Sequence, residues 1–203
     1  MAARRPARRA SARPQQVRII GGDWRRRQIP VPDAAGLRPT GDRIRETLFN
    51  WLAPRLPGAR CLDLFAGTGV LGLEALSRGA AHCRFVEAAT PVAAALRHQL
   101  DQLGGQDRAE VVVGTAPQIL DRGSGSYDCV FLDPPFGSGL LLPTLDRLIP
   151  QLAAGHRVYV EYGASDAVSW PSGWQSLRDG RAGQVRYHLL AYQPDTDSPK
   201  ETP

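Results

Sequence analysis

The sequence has few cysteines and no pattern of metal ligands. Its 203 residues include Cys61, Cys83 and Cys129, and none has another cysteine or a histidine at metal-site spacing. The four histidines are scattered in the same way, so no metal site is predicted. We interpret the cysteines as small buried residues of a protein that resides in a reducing compartment.

Long apolar runs are also absent. No stretch approaches the length of a membrane span, so no membrane contact is expected. Residues 1–16 lack the apolar core of a secretory signal; their arginine and alanine content resembles an organellar transit peptide. The same bias continues through the whole chain, however, so a bacterial cytoplasmic protein is the preferred interpretation.

Acidic residues are scarce near the N-terminus, where positive charge is concentrated. The net charge is +5, and the first 27 residues contain nine arginines and one acid, Asp23. Such clusters favour a polyanionic partner such as nucleic acid, although composition alone leaves a solubilising tail equally open. An aromatic residue lies among basic residues in this region. The basic side chains suit contacts with phosphates and the aromatic ring suits stacking on a base; the residues are Arg18, Trp24, Arg25, Arg26 and Arg27. An ordinary hairpin whose tryptophan covers the core edge is the alternative.

The chain is organised around the segment CLDLFAGTGVLG at 61–72. Residues 61–65 predict a buried strand, 66–69 a tight glycine turn and 70–78 a helix. This arrangement forms a cradle, because glycines let the backbone approach a ligand and the helix start presents free N–H groups. The spacing Gly67-x-Gly69-x-x-Gly72 matches a dinucleotide fingerprint, which alone is a weak signal.

Strands and helices alternate after this segment, which predicts a parallel sheet covered on both faces. Before it, 17–31 predicts a small β element and 32–39 a loop. A helix is predicted over Asp42–Leu52, with Arg43 and Arg45 off its apolar stripe of Ile44, Leu48, Trp51 and Leu52. The later elements are strands 82–86, 110–113, 127–132 and 157–161, helices 91–103, 117–120 and 141–152, and an antiparallel hairpin of 174–178 and 185–192 around a turn at 180–183.

Two acidic positions follow predicted strands. Glu87 ends the second strand, twenty residues after Gly67, where a carboxylate can accept hydrogen bonds from the ribose hydroxyls of an adenosine ligand. Asp133, Pro134, Pro135 and Phe136 end the fourth strand, next to the first. Asp133 and the Pro134 carbonyl can accept the two N–H bonds of a planar amine, and Phe136 can stack on its ring. A surface carboxylate and a proline-rich turn are the plain alternatives.

The chain resembles S-adenosylmethionine-dependent methyltransferases of exocyclic amines in DLFAGTGVLGLEALSRGA, FVEAA and FLDPPF. It is similar to the family of bacterial 16S rRNA guanine-N2 methyltransferases in RIIGGDWRRRQIPVP, GLRPTGDRIRETLFNWL and AGQVRYHLL. The resemblance covers about 17–192. It implies transfer of a methyl group from S-adenosylmethionine to a guanine N2 amine of 16S rRNA, at position 966. It also implies a small-subunit ribosomal particle as partner and a monomeric enzyme.

The resemblance implies an α/β, Rossmann-like class I fold. Its seven-stranded sheet is mostly parallel and ends in an antiparallel hairpin, and a small N-terminal β appendage is added. The expected parts are a disordered basic tail at 1–16, an RNA-binding hairpin and helix at 17–52, the methyltransferase domain at 53–193 and a disordered tail at 194–203.

The resemblance also implies roles for single residues. The methionine end of the cofactor would meet Asp63, Ala66, Gly67 and Gly69, the ribose Glu87, and the target guanine 133–136. Arg38, Thr40 and Arg43 match the segment RPT-x-D-R and would lie at the cofactor carboxylate or an RNA phosphate. Thr115, followed by Ala116, stands where such enzymes usually carry aspartate, so its hydroxyl would accept from adenine without charge.

Three alternatives stay open at this point. An NAD-type oxidoreductase fits the glycine spacing but has no evident hydride-transfer partner. A non-catalytic RNA-binding module does not explain why Glu87 and Asp133 occur together with the glycine turn. An adenine-N6 methyltransferase acting on DNA or RNA is the third, because DPPF presents acceptors to any exocyclic amine.

Overall fold

A computed structural model of the chain describes residues 15–32, 40–123 and 125–194. The strands are β1 (Gln16–Arg18), β2 (Gln28–Pro30), β3 (Arg60–Asp63), β4 (His82–Glu87), β5 (Ala109–Val113), β6 (Tyr127–Leu132), β7 (Leu152–Gly163), β8 (Trp174–Ala182) and β9 (Val185–Tyr192). The α-helices are α1 (Asp42–Leu52), α2 (Val70–Ser77), α3 (Thr90–Leu103), α4 (Ala116–Asp121) and α5 (Leu141–Leu148). No helix within the described ranges is long and apolar enough to cross a membrane.

Seven strands form one sheet in the order β5-β4-β3-β6-β7-β9-β8. The pairs from β5 to β7 are parallel, and β9 is antiparallel to both β7 and β8. The order reverses at β3, so the carboxyl ends of β3 and β6 border the crevice where ligands bind in such sheets. The predicted fold, a mostly parallel seven-stranded sheet with an antiparallel hairpin and a separate N-terminal β element, is confirmed.

Helices cover both faces of the sheet. The core of one face contains residues of α1, α2 and α3, and Phe49 of α1 packs against Phe131 of β6 with ring centroids 6.0 Å apart. The core of the other face contains residues of α4 and α5. The register places Cys83, Cys61 and Cys129 side by side on three neighbouring strands, all buried, as predicted.

Several element boundaries differ from the prediction, and the strand predicted over 157–161 extends from Leu152 to Gly163. The helix expected over 141–152 ends at Leu148, and a short 3₁₀ turn over Ile149–Gln151 leads into β7. Pro150 lacks the N–H of a continuing helix, which explains this end. The turn expected at 180–183 is also wrong, because β8 continues to Ala182. Gly180 lies inside the strand, where a Cβ would come within 2.3 Å of the Tyr187 ring.

The predicted β element at the N-terminus is an antiparallel pair, and Gln16, expected in the tail, belongs to its first strand. Residues 19–27, which connect β1 to β2 and are here called the basic turn, dock on α2. Glu74 of α2 accepts the backbone N–H groups of Ile20 and Gly21, both at 2.8 Å. A Cβ on Gly22 would lie 1.7 Å from the Ser77 carbonyl oxygen, so this close docking requires glycine.

Arg45 corrects a sequence expectation, because its side chain is fully buried although it was placed off the apolar stripe of α1. Its guanidinium contacts Glu74 at 3.4 Å and Asp42 at 2.7 Å, and its Nε donates to the Thr40 carbonyl oxygen at 3.1 Å. Arg78 adds a second contact to Glu74, at 2.8 Å. A buried arginine is tolerated here because acidic and carbonyl oxygens surround its guanidinium group.

Candidate active site

The glycine turn lies at the carboxyl end of β3. Gly67 and Gly69 have φ values of +52° and +74°, in the left-handed region that other residues rarely adopt. A Cβ on Gly69 would also meet Leu96 of α3 at 2.4 Å. The predicted cradle therefore has the backbone form that glycine alone supports without strain.

Asp63 ends β3 beneath this turn and is almost fully buried. Its Oδ2 accepts the Gly72 N–H of α2 at 3.2 Å. Burial raises the pKa of Asp63 to about 7, against the lowering effect of the Gly72 hydrogen bond, and the charge of Glu87 raises it further. A carboxyl group with this pKa becomes fully ionised when a cation lies beside it.

Glu87 ends β4 next to β3, as predicted. One carboxylate oxygen accepts the Gly67 N–H at 2.9 Å and the other accepts the Ala89 N–H at 2.7 Å. Each oxygen keeps a second lone pair for a ligand hydroxyl. Glu87 thus holds the glycine turn in place and remains half-buried at the rim of the crevice.

Asp133 follows β6, on the other side of β3. Burial raises the pKa of Asp133 well above its usual range, and the charges of Glu161 and Asp63 add to this effect. Pro134 is buried, and its carbonyl takes part in no hydrogen bond between described residues, whereas the Pro135 carbonyl accepts the Ser138 N–H at 3.1 Å. The two expected acceptors for an amine thus lie together at this edge.

Phe136 is one of the few large apolar side chains at the surface, with 46% of its area exposed. It directly follows the two prolines and the acidic end of β6. An exposed aromatic ring next to hydrogen-bond acceptors suits a ligand that has both an aromatic face and amino groups.

Thr40 lies at this centre in a way that sequence reasoning did not predict. Its hydroxyl donates to Asp133 Oδ2 at 3.2 Å. Glu161 of β7, 2% exposed, is also close, and its Oε1 accepts the Tyr159 hydroxyl at 2.7 Å. Burial raises the pKa of Glu161, against the lowering effect of hydrogen bonds from Tyr159 and Thr40. The described residues contain no group of three or more His, Cys, Asp or Glu side chains placed to hold a metal ion.

The end of β5 borders the crevice on the side of Glu87. Thr115 is exposed and is the N-cap residue of α4, and its backbone N–H donates to Gln118 Oε1 at 3.3 Å. Ala116 is buried behind it. Val113, which pairs with Glu87 in the sheet, is 42% exposed and offers an apolar surface that sequence reasoning missed. Arg38 lies outside the described residues.

Most of the side chains that were expected to contact nucleic acid are exposed. Arg25, Arg26 and Arg27 are exposed on the basic turn. Arg18 is exposed and pairs with Asp42 at 3.2 Å, and Arg43 is exposed on α1.

Trp24 is the exception, and its expected stacking role is corrected. Only 8% of its surface is exposed, and its ring packs beneath Arg108, whose guanidinium carbon lies 5.3 Å from the ring centroid. The backbone N–H of Trp24 donates to Ser77 Oγ at 2.9 Å. Trp24 therefore anchors the basic turn to the core, which was the alternative interpretation, and its ring has no free face for a base.

The fold and the crevice define a class I S-adenosylmethionine-dependent methyltransferase. The residues present fit that cofactor: two glycines in the turn, an ionisable carboxyl beneath it and a carboxylate with free lone pairs at the end of β4. The solved structure of SMU.776, complexed with S-adenosylhomocysteine, shares the fold, with a TM-score of 0.66, 15% identity and coverage of 80% of this chain and 52% of that chain.

The particular family follows from closer comparisons. Residues 17–191 match the family model "Conserved hypothetical protein 95". Ribosomal RNA small subunit methyltransferase D of Escherichia coli K12 is 45% identical over 186 residues, which cover 90% of this chain and 93% of that protein. Its counterpart in Haemophilus influenzae is 41% identical over 179 residues, covering 86% and 93%. The chain belongs to this methyltransferase family.

A solved structure from Escherichia coli, assigned as the methyltransferase yhhF, has a TM-score of 0.80 and 43% identity, and covers 88% of this chain and 99% of that chain. Such similarity over nearly the whole length leaves no support for an NAD-type oxidoreductase. The relatives named as methyltransferases and the residues of the crevice indicate S-adenosylmethionine as the cofactor.

Proposed function

We propose that the protein methylates the exocyclic N2 amine of a guanine in 16S rRNA, at position 966 by resemblance. The observation that carries the reaction type is the pair of acceptors beyond β6: the Asp133 carboxylate and the Pro134 carbonyl, which accepts no hydrogen bond from another described residue. The RNA target rests on the relatives named rRNA small subunit methyltransferase D. A ribosomal particle as substrate, a monomeric state and a cytoplasmic location complete the proposal.

The cofactor-binding roles are assigned by position. The backbone at Ala66, Gly67 and Gly69 and the Asp63 carboxyl hold the methionine end, and Glu87 holds the ribose. Thr115, beside the exposed Val113, faces the adenine. Arg38 is proposed to bind the cofactor carboxylate or an RNA phosphate.

Methyl transfer then depends on how the amine is held. When bound, S-adenosylmethionine supplies an electrophilic methyl group, whose bond to sulfur breaks with the electron pair left on sulfur. Asp133 and the Pro134 carbonyl accept the two N–H bonds, which directs the nitrogen lone pair at that methyl carbon. Phe136 stacks on the guanine ring. A methylated amine nitrogen would be acidic, so its proton would pass to water or to the Asp133 carboxylate that already accepts its N–H, and no base would be needed before attack.

The reaction is tested by incubating the protein with labelled S-adenosylmethionine and naked 16S rRNA, small-subunit particles or duplex DNA, each lacking the modification. Digestion to nucleosides should place the label in N2-methylguanosine from RNA and in no DNA nucleoside. The Asp133→Asn protein serves as the matched control. Label in N6-methyladenosine would replace the guanine assignment with the adenine alternative, and comparison of naked RNA with particles identifies the preferred substrate.

The basic turn is proposed to bind RNA phosphates together with Arg18 and Arg43. Replacing Arg25 and Arg26 by glutamine should weaken RNA binding and reduce the slope of log K against log salt by about 1–2, because fewer counterions are released. The measurement is RNA binding across a salt series. Replacing Arg178 and Arg186, exposed at the opposite edge of the sheet, makes the same charge change as a control. Equal slopes for the two double variants would argue against this interface.

A further inference from the structure

Glu161 is a buried carboxyl of the site to which the proposed reaction gives no role. The β6–β7 register pairs Phe131 with Tyr159, so Asp133 and Glu161, each two residues further on, lie side by side on one face of the sheet. Glu161 is 2% exposed, whereas Asp133 is half-buried at the crevice. The Asp133 and Glu161 carboxyl groups are thus neighbours, and Glu161 is the more deeply buried of the two.

A hydroxyl group donates a hydrogen bond to each of the two carboxyl groups. The Tyr159 hydroxyl donates to Glu161 Oε1 at 2.7 Å, and the Thr40 hydroxyl donates to Asp133 Oδ2 at 3.2 Å. Burial raises the pKa of Glu161, and hydrogen bonds from Tyr159 and Thr40 oppose this rise, which places Thr40 beside both carboxyl groups. The backbone of Thr40 is also fixed, because Arg45 Nε donates a hydrogen bond to the Thr40 carbonyl oxygen at 3.1 Å. A threonine hydroxyl can donate one hydrogen bond and accept another, so it can connect a donor to an acceptor.

The charges around this pair decide where a proton resides. None of the ion pairs between described residues includes Asp133 or Glu161. Burial raises the pKa of both Asp133 and Glu161, and the charge of Glu161 raises that of Asp133 further. Two adjacent carboxyl groups without a cation share one proton, and Glu161, the less exposed of the two, loses more solvation by being charged. A protonated Glu161 would donate a hydrogen bond to the Thr40 hydroxyl oxygen. The Thr40 hydroxyl would in turn donate its hydrogen bond to Asp133.

We propose that Glu161 is a positioning residue that keeps its proton and, through Thr40, holds the Asp133 carboxylate ionised and aimed at the target amine. This inference rests on the proposed function only for its catalytic consequence. The titratable and charged groups that face the pair are Asp63 at the end of β3, Tyr159 on β7, Tyr187 on β9 and Arg45 on α1.

The order of protonation is tested without any substrate. Carboxyl ¹³C resonances of the full chain are followed against pH and assigned by their loss in Asp133→Asn and Glu161→Gln. Glu161 should protonate at a higher pH than Asp133. Thr40→Val should raise the pKa of Asp133 by about one pH unit, because a hydrogen bond to its charged form is lost, and Thr40→Ser should not. The reverse order, or equal titration in the valine and serine variants, would overturn the proposal.

The catalytic consequence is measured as single-turnover methyl transfer against pH. Glu161→Gln retains a neutral donor and should stay within about threefold of the parent, whereas Glu161→Leu should lose about tenfold or more. In Thr40→Val the fall in rate at low pH should begin at a higher pH, a change that a merely structural role would not cause. Equal losses in the two Glu161 variants would contradict the proton-carrying role. An inactive parent protein with the expected ¹³C titration would reject the proposed function and leave this inference standing.

Discussion

Replacing Asp133 by asparagine should lower the rate of methyl transfer by about two orders of magnitude or more, equivalent to about 2.7 kcal/mol or more of transition-state stabilisation. Asparagine keeps the size of the side chain but exchanges one carboxylate oxygen for an NH₂ donor. Its remaining oxygen is a weaker, neutral acceptor and must also serve the Thr40 hydroxyl, which bonds to Asp133 at 3.2 Å. Single-turnover rates at saturating cofactor measure the effect.

Cofactor binding separates this loss from general damage. Asp133 lies beyond β6, whereas the glycine turn is bonded to Glu87 on the other side of β3, so S-adenosylhomocysteine should bind the variant about as well as the parent. Asp146→Asn, at an exposed position of α5, is the matched control and should keep the parent rate. An Asp133→Asn protein with the parent rate would remove this residue from the reaction.

Replacing Glu74 by glutamine should lower the free energy of unfolding by about 3–5 kcal/mol, because it removes a buried anion and leaves the buried Arg45 charge with the partly exposed Asp42 as its acidic partner. Glu74 and Arg45 are both fully buried, and their side chains meet at 3.4 Å. Glu74 also accepts two backbone N–H groups of the basic turn, one on each carboxylate oxygen, and glutamine would present its NH₂ donor to one of these N–H groups. Equilibrium denaturation measures the loss.

The exposed Glu46 of α1 provides the comparison, and Glu46→Gln should change stability by no more than about 0.5 kcal/mol. Because Glu74 connects α2 to the basic turn, the Glu74→Gln protein should also bind RNA more weakly under conditions in which it is still folded. Similar stability of the two variants would mean that the buried cluster contributes little to the fold.

The local sequence pattern was sufficient to predict most elements of the fold and part of the candidate site. The glycine turn, Glu87 and the Asp133 segment each follow an apolar run that reads as a buried strand, and the ends of parallel strands meet at one edge. The conformational demands of glycine are also local, which is why the cradle at 66–69 could be predicted from residue type. The end of α5 at Leu148 was not predicted, although Pro150 explains it. The extension of β8 to Ala182 was not predicted either, because Gly180 suggested a turn but lies within the strand against the Tyr187 ring.

The sequence by itself predicted the alternation of strands and helices, the glycine turn and the acidic residues that follow two strands, because these follow from hydrophobic period, glycine and chain order. Only the tertiary structure decided that Trp24 is an anchor, that Arg45 is buried with Glu74, and that Thr40 and Glu161 join Asp133. A charged or polar side chain is buried only when partners from distant segments satisfy it, and Thr40 and Asp133 are 93 residues apart in the chain. Hydrophobic periodicity does not indicate which polar side chains from distant segments will contact one another, so these contacts are seen only in the tertiary structure.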